Sequence, residues 1–261
     1  MKITVLGCGA AGGVPMISVG WGACDPNNPK NRRRRPSVLV ETKGLTILVD
    51  AGPDLREQLL MTGTQRLDAV LFTHGHADHT HGIDDLREIN RAMMAPIQAY
   101  GTQATLDDIA SRFGYVFGSM DLDTMPVYKP WLIRNVIKDD GSAFEVGGIS
   151  IKAFDQDHGY GRSTGFRFGD FAYSTDVWDM PENSFAQLKG LDVWIVGCLL
   201  DRPHTTHAHV GKVIEWVERL RPKRTLLTHM SPRMDYASLC ASLPKGIEPA
   251  YDGQTLLCAD P

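Results

Sequence analysis

The sequence predicts an α/β protein folded as one domain over residues 1–261, with two sheet halves sandwiched between helices. Short β-type runs are followed by segments of helical periodicity, this rhythm starts afresh in the second half, and few stretches between the halves read as linkers. With 261 residues, 43% of them hydrophobic, the chain is long enough for one large α/β domain with a substantial core.

The elements follow in order. MKITVLGCG is a β-type run ending in glycine, and SVLVET and LTILVDAG form a hairpin through Lys43-Gly44. Asp54 stands where it would cap a helix over LREQLLMTG, with Gly63 as the stop. LDAVLFT is a mostly apolar strand. GIDDLREINRAM has helical periodicity with an acidic first turn, and PIQAYGT then TLDDIASRF repeat strand and helix. In the second half, SAFEVGG and ISIKAFDQDHG pair through Gly147-Gly148, and GFRFGDFAYSTDV folds on itself at Gly169-Asp170. DVWIVGCLL is an apolar strand, VGKVIEWVERL an amphipathic helix and KRTLLTHM a last strand ending on His229.

Composition narrows the function classes. A net charge of −4 argues against a general nucleic-acid surface, because backbone affinity rests on neutralising phosphates. The local exception is NRRRRP, Asn31 to Pro36, which reads either as a solvated loop or as a phosphate-gripping wall. No apolar run has the roughly 18–20 residues of a membrane span, and the first residues lack the pattern of a signal peptide, so a cytoplasmic protein is expected. The five cysteines are scattered and never spaced Cys-x-x-Cys, which predicts buried reduced thiols. The aromatics of GDFAYSTDVWDMPEN fit either core or a homodimer interface, core being the commoner fate.

FTHGHADHTHG, Phe72 to Gly82, carries the chemistry. It sets His74, His76, Asp78 and His79 on a tight turn after a strand. Imidazole nitrogen with carboxylate oxygen suits zinc, manganese or iron. Two such ions about 3.5–4 Å apart can hold a bridging hydroxide and clamp both oxygens of a displacement. This turn supplies about half the ligands a pair needs. His158 in FDQDHG, Asp176 in YSTDV and His229 in LLTHM each follow a β-type run, so each could lie on the same sheet edge. His81, beyond the core motif, reads as structural.

These residues resemble the metallo-β-lactamase superfamily, whose signature is THxHxDH followed by His, Asp and His at later strand ends. The resemblance spans LGCGAAGGVP to LLTHM and implies a four-layer αββα sandwich. It implies two divalent ions, zinc or manganese, one held by His74, His76 and His158 and the other by Asp78, His79 and His229, with Asp176 bridging. DRPHTTHAHVGKVIEWVERL further resembles the phosphodiesterase branch, which includes ribonuclease Z and the phosphoribosyl cyclic phosphodiesterase of phosphonate breakdown. There a histidine just before this helix contacts phosphate and protonates the leaving oxygen. Matching THAHV to it selects His207, with His204 and His209 as alternatives. Catalysis is thus expected to depend on Asp78 and His207, and substrate binding on His207 with Arg34 and Arg35. Relatives also hold a structural zinc through a cysteine cluster near CDPNN and a histidine three residues after the last ligand. Here only Cys24 and Pro232 stand there, so no structural zinc is expected.

The implied activity is hydrolysis of a small phosphodiester or cyclic phosphate, of phosphoribosyl or nucleotide type, with neither large nucleic acid nor membrane as partner. The alternatives are a thioester or lactam hydrolase on the same scaffold, or a metabolite carrier resembling the pyrroloquinoline-quinone pathway member. Redox relatives replace the second cluster histidine with glutamate, so His76 speaks against them.

Overall fold

The computed structural model describes residues 1–120 and 126–261. In the first half, β1 (Lys2–Gly7), β2 (Ser37–Thr42) and β3 (Leu45–Val49) run antiparallel, then β4 (Ala69–Leu71), β5 (Ile97–Gly101) and β6 (Leu132–Val136) continue parallel to β3. The second half mirrors this. β7 (Asp140–Val146), β8 (Ile149–Asp157), β9 (Arg162–Phe168) and β10 (Phe171–Ser174) are antiparallel, and β11 (Val193–Gly197), β12 (Arg224–Thr228) and β13 (Ile247–Pro249) run parallel to β10. A last strand, β14 (Thr255–Leu257), returns to pair with β1, so among the described residues each sheet has seven strands.

Alternation along the strands builds the layers. Val38, Val40, Ile47 and Val49 face the second sheet, while Leu39 and Leu48 between them face outward. The outward set packs on α1 (Leu55–Thr62), α3 (Leu86–Met93) and α4 (Gln103–Phe113) through Leu55, Leu59, Leu86, Ile89, Leu106 and Ile109. A four-residue turn of helix, α2 (Ala77–Thr80), precedes α3. Beyond the second sheet lie α5 (Glu182–Gln187), α6 (Val210–Leu220) and α7 (Tyr236–Ser242), contributing Phe185, Val213, Trp216 and Leu239 to the core. The four layers are those of the metallo-β-lactamase sandwich.

Several local expectations are corrected. Asp54 precedes α1 but does not cap it, because its Oδ2 accepts the Arg35 backbone N–H at 2.7 Å and faces Arg35 Nε at 3.1 Å. Gly63 does end that helix in the left-handed region, at φ 66°. The strand within LDAVLFT covers only Ala69–Leu71, since the chain leaves the sheet to form the ligand turn. GIDDLREINRAM divides into a 3-10 turn, Ile83–Asp85, and α3. Cys8, Cys24 and Cys198 are buried thiols, but Cys240 is exposed and Cys258 half-buried. Phe171, Tyr173, Val177 and Met180 lie in the core, and Trp178 alone of that segment's aromatics reaches solvent, with the Lys212 ammonium 4.5 Å from its ring centroid.

Candidate metal centre

The seven residues matched to metal ligands converge at one edge of the paired sheets. His74, His76, Asp78 and His79 follow β4, His158 follows β8, Asp176 follows β10 and His229 follows β12. Two features of the chain make that convergence possible. Gly52 has no room for a side chain, because a Cβ there would lie 2.1 Å from the backbone oxygen of Asp78 in the ligand turn. The Thr164 N–H of β9 donates to Thr73 O at 2.9 Å, which ties the ligand turn of one sheet to the other.

The ligand atoms form two groups sharing Asp176: His74, His76 and His158 with Asp176, and Asp78, His79 and His229 with Asp176. The two carboxylate oxygens of Asp176 divide between them. Oδ2 faces His158 Nε2 at 3.5 Å and His74 Nε2 at 3.7 Å, while Oδ1 faces His79 Nε2 at 3.1 Å and His229 Nε2 at 3.2 Å. Asp78 Oδ2 completes the second group, 3.2 Å from His79 Nε2 and 3.3 Å from His229 Nε2. Ligands about 2.0–2.1 Å from a tetrahedral ion stand about 3.3 Å apart, so these spacings fit a shared cation in each group.

Buried partners fix the imidazole tautomers. His79 Nδ1 donates to Asp50 Oδ2 at 2.7 Å, and Thr73 Oγ1 donates to the same oxygen at 2.8 Å. With its proton so committed, Thr73 Oγ1 accepts from His74 Nδ1 at 3.0 Å, and His158 Nδ1 donates to Thr206 O at 2.9 Å. In all three rings Nε2 is thereby turned toward Asp176. Asp50 was not singled out from the sequence, although it ends the strand in LTILVDAG. Its signal was a buried acid at a strand terminus beside the ligand strand, and it became decisive only once β3 and β4 were paired.

The charge pattern also calls for cations. Burial works against the cations of His79 and His229, yet the facing carboxylates, Asp176 foremost, hold both above the ordinary imidazole value. Burial likewise opposes ionisation of Asp176 and Asp78, but the surrounding histidines, His229 foremost at Asp176 and His79 at Asp78, hold both below the carboxylate range. His74 is pushed down by burial and then by His79. Nε2 of His74 and Nε2 of His79 are buried with no hydrogen-bond partner among the described residues, and both point into the cluster. An unmet acceptor set of imidazoles and carboxylates is what a divalent ion satisfies.

A cavity of about 270 Å³ opens over the cluster, lined by Ala11, His76, Asp78, His158, Tyr160, Gly161, Asp176, Thr206, His207 and His229. Of the three histidines before α6, His207 lines it. Its ring centroid is 4.8 Å from that of His158 and 4.8 Å from that of His229, one ligand of each group. Burial, then His229, push its imidazole down to about 3. His204 is exposed and accepts from the Thr206 N–H, and His209 is the N-cap residue of α6 without a side-chain cap bond. His81 ends α2 and lies edge-on to Phe113.

The arginine run is neither loop nor wall as a whole. Arg33 is buried, its Nη2 donating to Met234 O at 2.6 Å and its Nη1 facing Cys24 Sγ at 3.9 Å. Arg32 stacks over Trp21. Arg34 pairs with Asp252 and Arg35 with Asp54, and these arginines line a depression of about 250 Å³ that shares no residue with the cavity over the cluster. Asp252 and Asp54 engage Arg34 and Arg35, and neither arginine is among the residues lining the cavity over the cluster.

Residues 46–230 match the beta-lactamase superfamily domain. A crystal structure described as a new diphosphatase from the PhnP family superposes with a TM-score of 0.90 at 33% identity, covering 99% of this chain and 98% of that one. An octanoyltransferase of Porphyromonas gingivalis is 30% identical over 256 residues, covering 97% of this chain and 51% of that protein. A ribonuclease Z of a Bradyrhizobium species is 29% identical over 161 residues, covering 59% of this chain and 49% of that one. The chain thus spans about half the length of these curated relatives. Zinc-bound PqqB from Methylobacterium extorquens, with a TM-score of 0.76 at 21% identity over 99% of this chain and 100% of that one, shares the fold. With a matching domain across most of its length and the ligand signature gathered at one sheet edge, the chain belongs to the beta-lactamase superfamily.

Proposed function

We propose that the protein is a dinuclear metal-dependent hydrolase of a small phosphodiester, cyclic phosphate or diphosphate. The observation that carries this reading is the place of His207, equidistant from a ligand of each group and facing the cavity above the shared Asp176. A likeness at 33% identity to a PhnP-family diphosphatase supports it. Divalent ions held by His74, His76, His158, Asp176, Asp78, His79 and His229 would supply Lewis acidity and make water a nucleophile at neutral pH.

The chain's own residues perform the rest. Asp50, Thr73 and the Thr206 carbonyl hold the imidazoles in the ligating tautomer. His207, neutral in the free protein, gains negative charge opposite it when a phosphoryl group docks. That charge favours its protonation, and Nδ1 or Nε2 then delivers a proton to the departing oxygen. Zinc and manganese both suit the donor set.

Hydrolysis of bis(p-nitrophenyl) phosphate by protein loaded with zinc or with manganese tests the reading. Asp78→Ala should abolish turnover, and His207→Ala should lower kcat by about 10²–10⁴-fold with metal content retained. Absence of turnover with either metal in folded, loaded protein would overturn it. One observation favours a second reading, since nearly the whole chain matches half of a protein named for octanoyl transfer. Thioester hydrolysis that survives His207→Ala, without phosphodiesterase activity, would select it.

A further inference from the structure

His158 is followed by Gly159, Tyr160 and Gly161, a turn closed by the His158 N–H donating to Gly161 O at 3.0 Å. Tyr160 stands at its tip, 93% exposed, yet lines the cavity over the cluster. Single exposed aromatics are common on protein surfaces and ordinarily mean nothing. This one differs in three respects. It is two residues from a cluster histidine. Its hydroxyl has no hydrogen-bond partner among the described residues, so no such bond holds the ring in place. Its turn is also locked to the loop bearing His207: a Cβ on Gly159 would lie 2.7 Å from Thr205 O, and His158 Nδ1 bonds Thr206 O.

The flanking cavities add direction. A second cavity of about 290 Å³ meets the first at His76, His158 and Gly161, and is lined by polar residues including Thr102, Asp108, Asp139 and Arg162. A substrate with two substituents on phosphorus would extend one into each. The substituent on the His207 side would pass Tyr160, and the other would pass the Thr102 hydroxyl, the Asp108 and Asp139 carboxylates and the Arg162 guanidinium.

Resting on the hydrolase reading above, we propose that Tyr160 is a stacking platform for an aromatic base on the substituent that departs past His207, which makes the preferred substrate a nucleoside phosphate derivative. The ring offers a flat, solvent-open π face, and base–aromatic stacking tolerates every base while discriminating against sugars and alkyl groups.

Equilibrium binding of AMP and of ribose 5-phosphate to metal-loaded protein by calorimetry tests this. The wild type should bind AMP about 5- to 30-fold more tightly than ribose 5-phosphate. Tyr160→Ala should bring the two affinities within about twofold by weakening AMP alone, and Tyr160→Phe should restore the preference. Wild type that binds both probes equally or neither, a Tyr160→Ala variant that keeps the preference or loses both probes alike, or a Tyr160→Phe variant that behaves as the alanine would each overturn the proposal. Turnover of bis(p-nitrophenyl) phosphate is measured on the same preparations. A base preference without turnover would sink the hydrolase reading and leave the platform standing; turnover without a base preference would do the reverse.

Discussion

Asp50 shows how one residue can be tuned for a site at the expense of its own comfort. It is fully buried, which raises its carboxyl above the usual range despite His79 and Thr73. It also sits at φ 64°, a left-handed conformation that non-glycine residues rarely adopt. Asparagine tolerates that backbone best, so Asp50→Asn separates charge from strain. The variant should fold and still accept the Thr73 N–H, but lose the anion that steers His79. Metal affinity, read by competition with a chromophoric chelator, should fall about 10- to 100-fold. Unchanged affinity would show that His79 needs no such partner.

At the scale of elements, Arg33 is a clamp between two distant segments. Its guanidinium spans Met234 O, Ser231 O and Asn31 Oδ1, while Asn31 in turn bonds Asp235 and the Tyr236 N–H. Arg33→Ala leaves these carbonyls unmet and a cavity beside them, and should cost about 2–4 kcal/mol in urea unfolding. Arg33→Lys should rescue little, since one ammonium cannot reproduce a planar fork. Nothing in NRRRRP distinguishes the buried arginine from its neighbours, because burial is decided by the 231–236 segment about 200 residues away. The strands and helices read from the sequence were those with strong local patterns, such as Val210–Leu220 with its apolar stripe. The strand Leu132–Val136 has a single buried residue, α5 and α7 have six and seven residues, and Thr255–Leu257 is an edge strand paired with β1. Such elements exist through tertiary pairing rather than through periodicity. The ligand turn was legible because a single stretch concentrates the donors. Tyr160 was not, because the exposure of one tyrosine carries no pattern.

For the whole molecule, Asp252 joins chain segments far apart in sequence. It accepts from the Cys8 and Arg34 backbone N–H groups at 3.2 and 2.7 Å. Burial outweighs these bonds and pushes its carboxyl up to about 6. A carboxyl raised on folding binds its proton more tightly in the native state, so its contribution is fully present below about pH 4 and is lost as pH rises through about 6. The gap from an ordinary carboxyl is worth about 3 kcal/mol. Unfolding free energies from urea titrations between pH 4 and pH 7 should therefore shift in favour of Asp252→Asn relative to wild type by up to that amount. Parallel curves would show that Asp252 titrates normally. No helix among the described residues is long and apolar enough to cross a membrane.

The two ligand groups are unequal in one respect with a kinetic consequence. His76 is exposed, whereas Asp78, His79, His229 and Asp176 are all buried. On the dinuclear reading, an ion held by His74, His76 and His158 would have one solvent-exposed ligand, whereas one held by Asp78, His79 and His229 would have only buried ligands and should exchange more slowly. Removal by a chelator in excess should then proceed in two phases, the first emptying the His74, His76 and His158 side. Reloading should follow the same order, with the Asp78, His79 and His229 side the slower to fill and the last to exchange. Mixed-metal protein would become accessible by that route, with one ion retained on the His79 side before a different one is added on the His76 side.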